Sequence, residues 1–237
     1  MANILLVDDA AALAELFGKA VQQELGHTVF TVISLADVAA SLALAGKIDL
    51  ALVDLSFPQE DGTGLEALVR IHQYSEGTRL AIITQGDEWV ADILRDAWEL
   101  LPITTAISKS APLAYQLQAI QQVLTTGSAP PDPAIKPLLP SRRNPDRTPD
   151  CFRRLVQHGG HAKLWTALAQ VDNVSYKALS DASGLKLNTL KNYRAQLIDE
   201  LAIHGLIDPT LQEMHRFAKR CWPFLAPFVN AAVPGPR

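Results

Sequence analysis

The chain has 237 residues, of which 48% are hydrophobic and 19% charged, with a formal net charge of −4. That excludes a disordered or fibrous chain and leaves room for one or two packed domains. No apolar run reaches the ~18 residues a spanning helix needs, no basic stretch precedes an apolar one at the N-terminus, and Cys151 and Cys221 make neither a disulfide framework nor a zinc-like cluster. The expectation is a cytoplasmic protein with reduced cysteines and no membrane role.

Charge divides the chain. Residues 1–126 carry 6 Lys+Arg against 16 Asp+Glu, a net of −10, while residues 127–237 carry 15 against 9, a net of +6. An acidic half followed by a basic half implies two jobs, the basic one suited to a polyanionic partner.

Asn3 to Val7 is a short apolar strand that ends on Asp8 and Asp9. Leu13, Leu16, Phe17, Ala20 and Val21 make a helical stripe, Thr28 to Ile33 a second strand, and Ala36 to Ala45 a short helix. Ile48 to Val53 is a buried strand ending on Asp54, with turn chemistry at Pro58 and Asp61-Gly62. A helix follows over Leu65 to Tyr74, then a strand from Arg79 to Thr84 and a helix within 88–98. A strand from Ile103 to Ser108 leads to Lys109, and Leu113, Leu117, Ile120 and Leu124 line a last helix with Pro112 near its first turn.

Alternating strands and helices call for a parallel sheet covered on both faces. In such sheets the working site lies outside the carboxyl ends of the strands. If strands 3–7 and 48–53 are parallel neighbours, Asp8, Asp9 and Asp54 meet at that edge. Three crowded carboxylates raise one another's pKa unless a cation neutralises them, and a hard divalent ion with oxygen ligands, Mg²⁺ above all, suits the site.

Asp8-Asp9, Asp54, Pro58, Asp61-Gly62, Thr84 and Lys109, in this order and spacing, resemble the receiver domain of two-component response regulators over residues 1–126. The resemblance implies that Asp54 is the phosphoacceptor for a sensor histidine kinase. It implies Mg²⁺ bound by Asp9 directly, by Asp8 through water, by Asp54 and by the backbone carbonyl of Ser56. Thr84 and Lys109 would stabilise the phosphoryl oxygens, and the domain would be a phosphoacceptor rather than a dedicated enzyme. Three departures stand out: Ala106 replaces the usual aromatic three residues before the Lys, Gln85 replaces a small residue, and Trp98-Glu99-Leu100-Leu101-Pro102 replaces a Gly-rich approach to the fifth strand.

Residues 127–150 hold seven of the fifteen prolines and no apolar period, which predicts a semi-extended linker in which Arg142, Arg143 and Arg147 are solvated or touch a nucleic-acid backbone. Residues 151–237 read as a helical domain. Ala162 to Val171 is one helix; Ser175 caps a second through Ala182, and Ser183-Gly184-Leu185 turns into a third over Leu187 to Leu201. Leu187, Leu190, Leu197 and Leu201 would pack inward, leaving Asn188, Lys191, Asn192, Arg194 and Gln196 for solvent or ligand.

Residues 178–193 resemble the helix-turn-helix of LuxR/NarL-type response regulators, with Thr189-Leu190-Lys191 opening the recognition helix, although Ala195 stands where a second basic residue is usual. This implies DNA contacts from Asn188, Thr189, Lys191, Asn192 and Arg194. In the tail, Asp208 would cap a helix with Pro209 in its first turn, and Pro223 would end or kink it. That helix covers the domain core or forms a dimer seam.

The expected architecture is therefore an α/β doubly wound, flavodoxin-like receiver with a five-stranded parallel sheet (1–126), a Pro-rich linker (127–150) and an all-α helix-turn-helix domain (151–237). The expected function is control of transcription by a phosphorylated regulator that forms a homodimer when active. Two alternatives stay open: an output domain that binds protein or RNA, and a pseudo-receiver acting without phosphorylation.

Overall fold

The computed structural model describes residues 1–60 and 62–232, so Asp61 lies outside the described residues. The chain divides into two units, 1–143 and 144–237.

Five short strands form the sheet of the first unit: β1 (Asn3–Val7), β2 (Thr28–Val32), β3 (Leu50–Val53), β4 (Arg79–Thr84) and β5 (Ile103–Ser108). They are buried throughout most of their length except β2 at the edge, where only Val32 is buried. All are parallel, in the order β2-β1-β3-β4-β5. Leu50 to Val53 are buried without exception, as expected of a strand covered on both faces. The helices α1 (Ala11–Leu25), α2 (Val38–Ala45), α3 (Gly64–Tyr74), α4 (Ala91–Leu100) and α5 (Leu113–Thr126) alternate with the strands. Val21, Leu117, Ile120 and Val123 from α1 and α5 close over Ile4, Leu6 and Leu52 of the sheet. The doubly wound expectation is borne out, and β1 and β3 are indeed neighbours.

The reversal of strand order falls between β1 and β3, so both strands deliver their C-terminal residues to one crevice. Gly64 makes the close turn there possible: a Cβ at that position would collide with the Asp54 carbonyl oxygen.

The expected linker is divided between the two units. Residues 128–143 belong to the first unit, and 129–132 lie along β5: the Ala129 N–H donates to Thr104 O (3.1 Å), the Asp132 N–H to Ala106 O (2.8 Å) and Thr105 Oγ1 to Pro130 O (3.2 Å). This strap satisfies the β5 backbone groups that an edge strand leaves open. Arg143 donates to Ile103 O (3.0 Å) and lies over the Trp98 ring (5.2 Å), so it is anchored to the first unit. Arg147, expected in solvent, is buried in the second unit.

The second unit contains α6 (Gly159–Gln170), α7 (Tyr176–Ser183), α8 (Leu187–Ile203), α9 (Leu211–Arg220) and α10 (Trp222–Ala232). Buried Trp165 donates from Nε1 to Leu155 O (2.8 Å), and Phe152 stacks with Phe217 and Phe224. Ser175 caps α7 as expected; Gly184, at φ +68°, supplies the left-handed residue that turns α7 into α8. The tail differs from expectation in its cap. Thr210 caps α9 in a reciprocal capping box with Glu213, whereas Asp208 sits at φ +42° in the preceding turn and cannot cap. As expected, the helix stops short of Pro223: α9 ends at Arg220, and Pro223 falls in the first turn of a separate helix, α10, where its missing N–H costs nothing.

Candidate functional site

Each strand end at the crevice contributes a different group. Asp8 and Asp9 follow β1, Asp54 follows β3, Thr84 ends β4, and Lys109 follows β5. The Asp54 N–H donates to Val7 O (2.9 Å) and the Lys109 N–H to Thr84 O (2.9 Å), so these residues continue the sheet ladder by one step. Carboxylate oxygens of Asp8, Asp9 and Asp54 lie within 4.8 Å of one another. The Lys109 ammonium is 2.7 Å from Asp8 Oδ2 and 2.8 Å from Asp54 Oδ2. Thr84 is buried, and its Oγ1 accepts from the Gly86 N–H (3.4 Å).

Electrostatics follow from this crowding. Burial first, then the Asp8 charge, holds the Asp9 carboxyl above its ordinary value of 3.8 against the opposing pull of Lys109. Burial also raises Asp54; the Lys109 hydrogen bond and charge only partly offset that. For Lys109, burial alone would lower the pKa, but hydrogen bonds to Asp54 and Asp8 with their charges outweigh it and the net direction is up. The ammonium therefore stays charged at neutral pH, leaving three carboxylates facing one cation.

The donor set fits a divalent ion. Asp54 Oδ1 is buried without a hydrogen-bond partner, a condition that costs about 1–3 kcal/mol or more for a charged group. An all-oxygen cluster two positive charges short is suited to Mg²⁺. Asp8, Asp9, Asp54 and the Ser56 carbonyl in the next turn are the groups that would hold it. Among the described residues, Asp8, Asp9 and Asp54 form the only group of three or more His, Cys, Asp or Glu side chains placed to share an ion.

Three features of the site are not evident from strand-end motifs. Buried Gln116 on α5 donates to Ser108 O (3.2 Å), Lys109 O (3.2 Å) and Ala111 O (2.8 Å), fixing the loop that carries Lys109. Its signal was a polar residue next to Leu117 on an otherwise apolar stripe. Both Glu60 oxygens accept from the Leu35 N–H (3.1 Å each), tying the β3–α3 turn to the β2–α2 turn. Gln85 is exposed and its Oε1 accepts from Ser110 Oγ (2.9 Å), bridging two loops at the rim of the site. Beside Asp8 and Lys109, a cavity of about 300 Å³ is lined by Leu13, Leu16, Phe17 and Leu113, of which Leu13 and Leu16 are more than 60% exposed.

No protein-family model and no curated protein matches the chain. Among solved structures, a two-component response regulator of the LuxR family from Aurantimonas sp. SI85-9A1 is similar at 26% identity and a TM-score of 0.49, covering 58% of this chain and 94% of its own. A LuxR family DNA-binding response regulator from Silicibacter pomeroyi is similar at 20% and 0.46 (57% and 99% covered). Response regulator protein TrrA from Thermotoga maritima, in complex with Mg²⁺-BeF, follows at 22% and 0.43 (52% and 99%). The parallel order β2-β1-β3-β4-β5, with the acid cluster at its carboxyl edge, decides the fold. The first unit has the receiver fold.

On the second unit, α8 presents Asn188, Lys191 and Asn192 to solvent, with Thr189 half-buried. Lys191 Nζ lies 5.7 Å from the centre of the Tyr176 ring. Arg194 is placed differently from expectation: its Nε donates to Pro209 O (3.0 Å) and its guanidinium reaches Asp208 (3.4 Å), so it braces the α8–α9 turn. Leu187, expected inside, is 43% exposed at the start of α8.

Proposed function

We propose that the protein is a response regulator: Asp54 accepts a phosphoryl group from the phosphohistidine of a sensor kinase, and the second unit binds DNA through α8. The observation that supports this most is the Asp8–Asp9–Asp54 cluster with Lys109 held between Asp8 and Asp54 and one Asp54 oxygen unpartnered.

A carboxylate oxygen of Asp54 attacks phosphorus; the O–P bond forms as the N–P bond breaks. The imidazole nitrogen keeps the bonding electron pair and takes a proton from solvent. Bound Mg²⁺ would supply charge neutralisation for the phosphoryl oxygens. Lys109 gives up part of its contact with Asp54 to pair with a phosphoryl oxygen, as a compact ammonium with three rotatable donors can, and the Thr84 hydroxyl donates to another. Water later attacks the acyl phosphate, restoring the carboxylate and releasing inorganic phosphate. Exposed Leu13 and Leu16 beside the site offer apolar surface to a protein donor.

Exposed amides and a lysine on α8 suit base edges and phosphates, and residues 144–237, with 12 Lys+Arg against 8 Asp+Glu, carry a net charge of +4 that favours a polyanion. Acetyl phosphate with Mg²⁺ should raise the affinity of the full chain for its DNA duplex, with steep weakening as salt rises, and Asp54→Asn should lose the enhancement. Binding indifferent to both phosphodonor and salt would refute the proposal. Exposed Leu187 favours a second reading, in which α8 docks a protein; Leu187→Ser would then abolish partner binding without altering any salt slope.

A further inference from the structure

The strap over residues 128–143 reaches the loop after β4, two residues beyond Thr84, through two side chains. Ile135 is buried, and together with Leu138 it sits against Gly86: a Cβ on Gly86 would lie 2.9 Å from Ile135 Cδ1 and 3.5 Å from Leu138 Cδ1. The Gly86 N–H in turn donates to Thr84 Oγ1. The strap is registered on β5 by the Asp132 N–H donating to Ala106 O (2.8 Å), and Asp132 turns the chain toward Ile135 by accepting from the Ala134 N–H (2.8 Å). Residue 106, where the strap is registered, is an alanine. Strap docking and the seat of the Thr84 hydroxyl therefore depend on the same glycine.

Resting on the reading of Asp54 as phosphoacceptor, we infer that Ile135 is a positioning residue for Thr84, and that engagement of the Thr84 hydroxyl by a phosphoryl oxygen loosens the strap. The mechanism is steric. Thr84 turning toward the phosphoryl group draws Gly86 with it, and Ile135 loses the flat glycine surface on which it packs. The strap then gives up its ladder to β5, and residues 128–143 are the segment that leads into the second unit. Coupling of this kind is reciprocal: what occupancy does to the strap, the strap does to occupancy.

The test uses the full chain, Mg²⁺ and beryllofluoride as the probe. Hydrogen exchange of the Ala129 and Asp132 amides should accelerate on the order of tenfold when the probe binds. Thr84→Ala, whose site is weakened and is therefore loaded at raised probe concentration until exchange around Asp54 reports occupancy, shows no change at those amides. In return, Ile135→Ala should tighten beryllofluoride binding severalfold, with Ile135→Val as a milder substitute if Ile135→Ala fails to fold. Occupancy is read separately from altered exchange around Asp54. Occupancy with unchanged strap exchange, or unchanged affinity in the folded Ile135 variant, overturns the coupling alone. Absence of any probe binding overturns the phosphoacceptor reading and the coupling with it.

Discussion

The Lys109 ammonium lies 2.7 Å from Asp8, no farther than the 2.8 Å that separates it from Asp54. The two carboxylates share one cation, so phosphorylation of Asp54 need not strip Lys109 of every partner. Asp8 can hold the ammonium in place while its other donors turn to a phosphoryl oxygen.

Lys109→Ala leaves Asp8 and Asp54 buried without their counter-charge. Breaking one side of such a pair costs on the order of 3–5 kcal/mol. Because the Asp54 carboxyl, already raised by burial, can take a proton, the loss should be near the lower end at neutral pH and shrink as pH falls. Urea unfolding at several pH values checks both points.

Asp9 and Asp54 are both raised above their ordinary value of 3.8, by burial first. The native state therefore holds protons there to higher pH than the unfolded chain does. Between 3.8 and the raised values the native state binds more protons, so stability falls as pH rises through that window, and the penalty is fully present above it. In metal-free protein, Asp9→Asn should raise the thermal midpoint at pH 7 and flatten this dependence; a lowered midpoint would contradict it.

Added Mg²⁺ acts in the opposite sense. At a hundredfold excess over its Kd it should stabilise the first unit by about 2.7 kcal/mol, a rise of roughly 5–10 °C in Tm for a unit of this size. Asp9→Asn should abolish most of the rise, and chelation should reverse it in the native protein. Differential scanning calorimetry reads this directly.

The strands were legible because each is a short apolar run that stops on a polar residue, and parallel packing then forces Asp8, Asp9 and Asp54 together. The strap was not legible, because its anchors are the backbone amides of Ala129 and Asp132 rather than a side-chain pattern. Composition alone made its prolines look like a free linker. The α9 cap could have been found: Thr210 has Glu213 three residues on, the capping-box spacing, whereas Asp208 lacks that support. Arg194 lies on α8 near the exposed amides, and only the fold shows that Pro209 and Asp208 hold it.

That difference separates two arginine and lysine variants of α8. Lys191→Ala should weaken DNA binding across sequences and reduce the salt slope by about one. Arg194→Ala should lower the stability of the second unit by about 1.5–3 kcal/mol, the scale of hydrogen bonds to a charged group, with little change in that slope. Equal effects on the slope would contradict the placement of Arg194.

On the proposed reading, the carboxyl edge of the sheet holds a metal and a transient phosphate on Asp54. Intact-mass spectrometry after incubation with acetyl phosphate and Mg²⁺ tests it most directly. One phosphoryl adduct on the native chain, located at Asp54 by reductive trapping, lost on chelation and absent from Asp54→Asn, is the predicted result. An adduct that persists in Asp54→Asn, or no adduct at any Mg²⁺ concentration, would contradict it.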